Sequence, residues 1–247
     1  MSSSSSPLLP LLSANAQWAA EHTGSELFKQ CAKGQSPKFL WIGCADSRVP
    51  ESVVTDAKPG DNFVHRNIAN QFHLDDDSAL SVLTYAVNVL CVEHGGLWYI
   101  CCLLSTHQLL RPVIVAGHTK CGGALACLQA AQSGTPTQVL ATDTSLGRWL
   151  APLTRLISTL DLASILSPAH LDSIVEANVK RQVENVCETS VIRNSWAAYI
   201  ASGEGNNQGN DKDIKETKEM KQVWVHGWVY DVASGRIKDL GISRGPS

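Results

Sequence analysis

Basic residues are not in excess in this 247-residue chain: 20 Lys and Arg stand against 23 Asp and Glu, a formal net charge of -3 at pH 7. That balance excludes the positive footprint of a nucleic-acid binder and leaves no polybasic patch for a membrane surface. Small molecules are the expected partners. The greasy stretch Leu97-Trp98-Tyr99-Ile100-Cys101-Cys102-Leu103-Leu104 is far too short to cross a bilayer. The start of the chain lacks the charged region of a signal peptide, Pro10 interrupts its apolar run, and no Arg precedes Arg48, against a mitochondrial presequence. No C-x-x-C pair occurs, and the 8 cysteines are too scattered through a mid-sized chain to form a disulfide framework. A reducing, cytoplasmic location is expected.

What is present points to one α/β domain, since 44% hydrophobic content over this length supports a sizeable core. Residues 1–13 read as a disordered Ser-rich tail and 14–247 as a single α/β domain with an amino-terminal helical arm. Asn15 to Lys33 reads as helical, with a thin stripe of Trp18, Leu27 and Phe28 that suits an arm packed on something else. Apolar runs predict strands at Lys38–Gly43, Asn62–Arg66 and Val113–Ala116, with Pro59-Gly60-Asp61 punctuating the first gap. Leu80, Leu83, Val87 and Leu90 predict a helix over Ala79–Val92, and Ala124–Ala131 another after Gly122-Gly123. Trp149, Leu153, Leu156 and Leu160 mark a further helix. A longer one starts at Ser167-Pro168, with Leu171, Val175, Val179, Val183 and Val186 as its buried face. Gly203–Lys221 reads as a polar loop, Gln222–Tyr230 as a strand, and Ala233-Ser234-Gly235 as the turn into a final short one.

Two stretches carry chemistry: Trp41-Ile42-Gly43-Cys44-Ala45-Asp46-Ser47-Arg48 and Gly117-His118-Thr119-Lys120-Cys121-Gly122-Gly123. Each ends an expected buried strand, so both fall at strand carboxyl ends, where open α/β sheets place ligands. Thiolate and imidazole are the donors zinc prefers, and three protein ligands leave a fourth position for water or substrate. Cys44, His118 and Cys121 supply that set. Asp46, two residues after a ligand, is close enough to bind the metal itself or to accept a hydrogen bond at it, and Arg48 can hold the carboxylate by a bidentate pair. The rival readings are buried thiols for the cysteines and a purely structural ion pair for Asp46 and Arg48. His65 is read as a satisfied strand histidine rather than a proton shuttle. Cys31, Cys91, Cys101, Cys102, Cys127 and Cys187 have no usable ligand spacing.

On these motifs the chain resembles the β-class carbonic anhydrases. Cys44-Ala45-Asp46-Ser47-Arg48 resembles that family's C-x-D-x-R motif and His118-Thr119-Lys120-Cys121 its H-x-x-C motif, with His65-Arg66-Asn67-Ile68-Ala69-Asn70 between them. The resemblance implies a central, mainly parallel sheet of about four strands flanked by helices, with an amino-terminal helix embracing a partner in a dimer or tetramer. It implies one Zn2+ per chain and reversible hydration of carbon dioxide to bicarbonate and a proton. Asp46 is implied to occupy the fourth metal position only in a closed state and to swing to Arg48 in the open one. Trp41, Arg66 and Tyr85 resemble the positions that form a second, inhibitory bicarbonate site in a bacterial subgroup. Zinc draws the pKa of bound water toward neutrality, as three-histidine carbonic anhydrases illustrate. Two thiolates cancel the ion's charge, so activity is expected to rise toward alkaline pH.

The chain departs from the family pattern in an insertion at residues 95–112, an apolar segment where such connections are short and polar. A subunit contact, an extra hairpin and a stretch foreign to the mature protein are its three readings. Two other functions compete with hydration. The same site could hydrolyse carbonyl sulfide or carbon disulfide, or Asp46 could close it permanently, leaving a zinc- or bicarbonate-binding protein.

Overall fold

The computed structural model describes residues 7–90, 111–133, 140–160, 170–201 and 222–246. The chain forms two compact units, Met1–Ser36 and Pro37–Ser247. The first holds α1 (Leu9–His22) and α2 (Glu26–Cys31). Helix therefore begins inside the expected tail, because Pro10 sits in the first turn, where its missing N–H costs nothing. The expected single segment is broken at Gly24, whose φ of +75° suits glycine. Ser25 then caps α2 by accepting from the Phe28 N–H at 3.4 Å. Neither helix has a buried residue, and the unit is held by the Trp18, His22 and Phe28 rings, with centroids 4.9 to 6.0 Å apart.

The second unit is built on a five-stranded sheet of order β2-β1-β3-β4-β5. Its strands are β1 (Phe39–Cys44), β2 (Asn62–Asn67), β3 (Arg111–His118), β4 (Val223–Asp231) and β5 (Arg236–Arg244). The first four run parallel and only β5 is antiparallel, so the mainly parallel α/β expectation holds with one strand more than about four. The final strand is nine residues long rather than short. Its scattered Ile237, Leu240 and Ile242 hid it, because an edge strand buries little and needs no continuous apolar run. Leu40, Ile42, Val113, Val115 and Val225 put one face of the sheet into the main core; Trp41, Ile114, Ala116 and Trp228 form a smaller cluster on the other.

Helices α3 (Glu51–Val54), α4 (Asp77–Thr84), α5 (Gly122–Ser133), α6 (Ser145–Ser158), α7 (His170–Glu188) and α8 (Ser190–Ala201) complete the described elements. α4 continues as a π-helical turn over Tyr85–Val89. α7 lies against β3 and β4 so closely that a Cβ at Gly117 would stand 2.7 and 2.9 Å from the methyls of Val179 and Val175. α8 was not anticipated: Thr189, whose hydroxyl accepts from the Ile192 N–H at 3.4 Å, starts a new helix directly after α7. The Ser167-Pro168 cap, the 203–221 loop and the 95–112 insertion up to residue 110 lie outside the described residues; Arg111 and Pro112 open β3. Among the described residues no helix is long and apolar enough to cross a membrane.

Candidate metal centre

β1 and β3 are neighbours and run the same way, so their carboxyl ends bring Cys44 and His118 together from opposite ends of the motif spacing. Lys120, at φ +56°, turns the chain after His118 and returns Cys121 toward them just before α5. The two sulfurs and a ring nitrogen of His118 all lie within 4.8 Å of one another, and all three residues are buried. His118 Nδ1 lies 2.9 Å from the Thr119 carbonyl. A carbonyl only accepts, so Nδ1 carries the proton and Nε2 presents its lone pair. Nε2 is buried and has no hydrogen-bond partner among the described residues, beside two sulfurs, which is the donor set that suits a thiophilic divalent ion such as zinc. The Cys121 thiol, the neighbouring imidazole and the Asp46 N–H draw the Cys44 pKa down to about 4. The bond to Cys44 and burial push the Cys121 thiol well above its ordinary value, so the pair shares one proton that metal binding would displace.

Asp46 does not stand in the ligand cluster. Its Oδ2 accepts from Arg48 Nη2 at 2.7 Å and its Oδ1 from Arg48 Nε at 3.0 Å, the bidentate pair anticipated from the spacing. That guanidinium holds the Asp46 carboxyl far below the usual carboxylate range. Asp46 Oδ2 lies 3.8 Å from His118 Nε2, at the border of the cluster. Arg48 Nη2 also donates to the Lys120 carbonyl at 3.1 Å, so one guanidinium ties the two motifs together.

The expected bicarbonate trio does not converge. Trp41 is buried among Ile114, Ala116 and Trp228, whereas Tyr85 stacks on Phe63 at 5.8 Å. Phe63 and Trp41 occupy opposite faces, because Trp41 pairs with Val64 and side chains alternate along a strand. Arg66 is committed to backbone: it donates to the Cys44 carbonyl at 2.7 Å and the Asp46 carbonyl at 2.6 Å, and faces Glu51 at 3.5 Å. It pins the loop that carries Cys44 and Asp46, a role the sequence reading missed. His65 is half-buried beside Asn67 at 3.1 Å, in keeping with a satisfied strand histidine. Cys127 and Cys187 are free thiols away from the cluster.

A second feature missed from sequence is a buried amide ladder. Asn178 Nδ2 donates to the Ala69 carbonyl at 2.9 Å, Gln71 Nε2 to Asn178 Oδ1 at 2.8 Å, and the Phe72 N–H to Gln182 Oε1 at 2.8 Å. It holds Ala69 and Asn70 at φ +61° and +46°, strained values for residues other than glycine. Ala69 in turn abuts Gly123, where a Cβ would lie 3.0 Å from the Ala69 Cβ. The signal that could have found the ladder is the pair Asn178 and Gln182, four apart, set into the valine stripe of α7.

The family model described as carbonic anhydrase matches residues 39–95 and 105–201, which leaves out part of the stretch expected to be an insertion. A carbonic anhydrase of Emericella nidulans is 32% identical over 237 residues, 94% of this chain and 82% of the relative. A solved β-carbonic anhydrase of Sordaria macrospora, described as tetrameric, is 28% identical with a TM-score of 0.70, covering 95% of this chain and 97% of that one. The β-carbonic anhydrase CafA of Aspergillus fumigatus is 32% identical with a TM-score of 0.66, over 94% of this chain and 89% of its own. The motifs at the ends of β1 and β3, the parallel sheet that joins them and these likenesses agree: the chain belongs to the carbonic anhydrase family, with the β-class fold.

Proposed function

We propose that this protein hydrates carbon dioxide reversibly to bicarbonate and a proton, using one zinc ion per chain held by Cys44, His118 and Cys121. The observation that carries the reading is the buried Nε2 of His118, without a hydrogen-bond partner among the described residues, facing two cysteine sulfurs beside a pinned carboxylate. Zinc bound there supplies the Lewis acidity that makes water a nucleophile near neutral pH. Asp46 stays ionised because Arg48 holds it, so it serves as a fixed acceptor that orients the O–H of a water at the cluster. The bidentate geometry also supports an open site, since a carboxylate tied to Arg48 is not a fourth ligand. Thiolates from Cys44 and Cys121 neutralise the ion's charge, so hydration rises toward alkaline pH.

Stopped-flow hydration of carbon dioxide, run beside carbonyl sulfide and carbon disulfide on zinc-loaded protein, tests the assignment. Turnover on carbon dioxide that climbs with pH is expected; full zinc occupancy without turnover on it at any pH would sink the reading. Self-association as a dimer or tetramer is part of the proposal, supported by the tetrameric Sordaria macrospora relative and by an arm without a buried residue. The free thiols of Cys127 and Cys187 suit a reducing compartment, and we place the protein in the cytoplasm.

A further inference from the structure

Thr119 lies between two metal-ligand candidates and carries no ligand atom, yet each of its polar groups is engaged. Its N–H donates to the Tyr230 carbonyl at 2.9 Å. Its hydroxyl donates to Asp231 Oδ1 at 2.9 Å and accepts from the Val232 N–H at 3.1 Å. Its carbonyl accepts from His118 Nδ1 at 2.9 Å. Three of these four bonds go to the last two residues of β4 and the one that follows; the fourth sets the imidazole. Asp231 is itself fixed, accepting from the Ala233 N–H at 3.1 Å and the Ser234 hydroxyl at 2.6 Å.

We propose that Asp231 and Thr119 are positioning residues for the metal: the carboxylate fixes the threonine, and the threonine carbonyl fixes the tautomer and aim of His118. The inference rests on the zinc reading above. A histidine ligand generally donates its second nitrogen to a carbonyl or carboxylate, and that partner decides which nitrogen is free to bind. Here the partner is a backbone carbonyl in a loop with a left-handed residue, Lys120, right after it. Such a carbonyl keeps its direction only if the loop is held from outside. Arg48 holds the Lys120 side and Asp231 holds the Thr119 side.

The test is zinc affinity by chelator competition, with the absorption spectrum of the cobalt(II) form as a second readout of ligand geometry. Thr119→Val and Asp231→Ala should each weaken zinc roughly 10- to 100-fold, the usual effect of losing such a supporting partner. Both should alter the cobalt spectrum, and Thr119→Ser should restore both readouts. The double variant should bind no more weakly than the poorer single one, because both act through one carbonyl. Zinc affinity and cobalt spectra unchanged in the folded variants, with only a lower melting temperature of the metal-free protein, would overturn the inference and leave the zinc reading intact. Wild-type protein that takes up no zinc would overturn both.

Discussion

Arg48 does three jobs with one guanidinium: it clamps both oxygens of Asp46 and ties down the Lys120 carbonyl. Arg48→Ala frees the carboxylate to rotate toward the ligand cluster, whose His118 Nε2 is already 3.8 Å away. Measured with zinc in excess, hydration kcat/KM should fall on the order of 10- to 100-fold through misplacement. An unchanged kcat/KM would show that the Asp46–Arg48 pair is only a structural tie. The Cys44–His118–Cys121 cluster and the Asp46–Arg48 pair were readable in the sequence because each motif needs only residue type and short spacing within it. Arg66 was not, since its partners are the carbonyls of Cys44 and Asp46, and a carbonyl has no signature in a sequence. Trp41 and Tyr85 show the same limit: spacing does not reveal that a stack on Phe63 puts Tyr85 across the sheet from Trp41.

Strands and helices matter here mainly through what ties them together. Replacing Asn178 with Leu takes away the Oδ1 that accepts from both Gln71 Nε2 and Gln182 Nε2 and leaves one N–H of each buried without its acceptor, while the Ala69 carbonyl keeps its bond from Gln71. At about 1–3 kcal/mol for each, unfolding in denaturant should show a loss of several kcal/mol. An unchanged midpoint would mean that water replaces the amide. In the turn between β4 and β5, the Ser234 hydroxyl and backbone N–H groups hold the Asp231 carboxyl down to about 2. Its folded value is below its unfolded one, so its stabilising effect is present above pH ~4 and lost as pH falls toward ~2. Thermal melts should therefore show a gap between wild type and Asp231→Asn that narrows over that interval; a constant gap would refute the linkage. Parallel strands β1 and β3 were evident from their unbroken apolar centres, whereas β5 and α8 were not. An edge strand with one half-buried side, and a helix restarted by Thr189 without a proline or glycine, leave little periodic trace.

For the molecule as a whole, the first 36 residues form a unit with exposed Leu9, Leu11 and Leu12 and no buried side chain in either helix. If the arm supplies an interface between copies, protein lacking residues 1–36 should shift to a smaller assembly by sedimentation and light scattering. An unchanged mass would place the interface elsewhere. The order β2-β1-β3-β4-β5 has a different consequence. The thiolate and imidazole donors come from segments that become neighbours only when the two middle strands align correctly, and a slip of one residue turns a donor to the wrong side. A metal taken up there would therefore report on register: chains with β1 and β3 misaligned lack the paired donors and would stay unloaded even with the ion in excess.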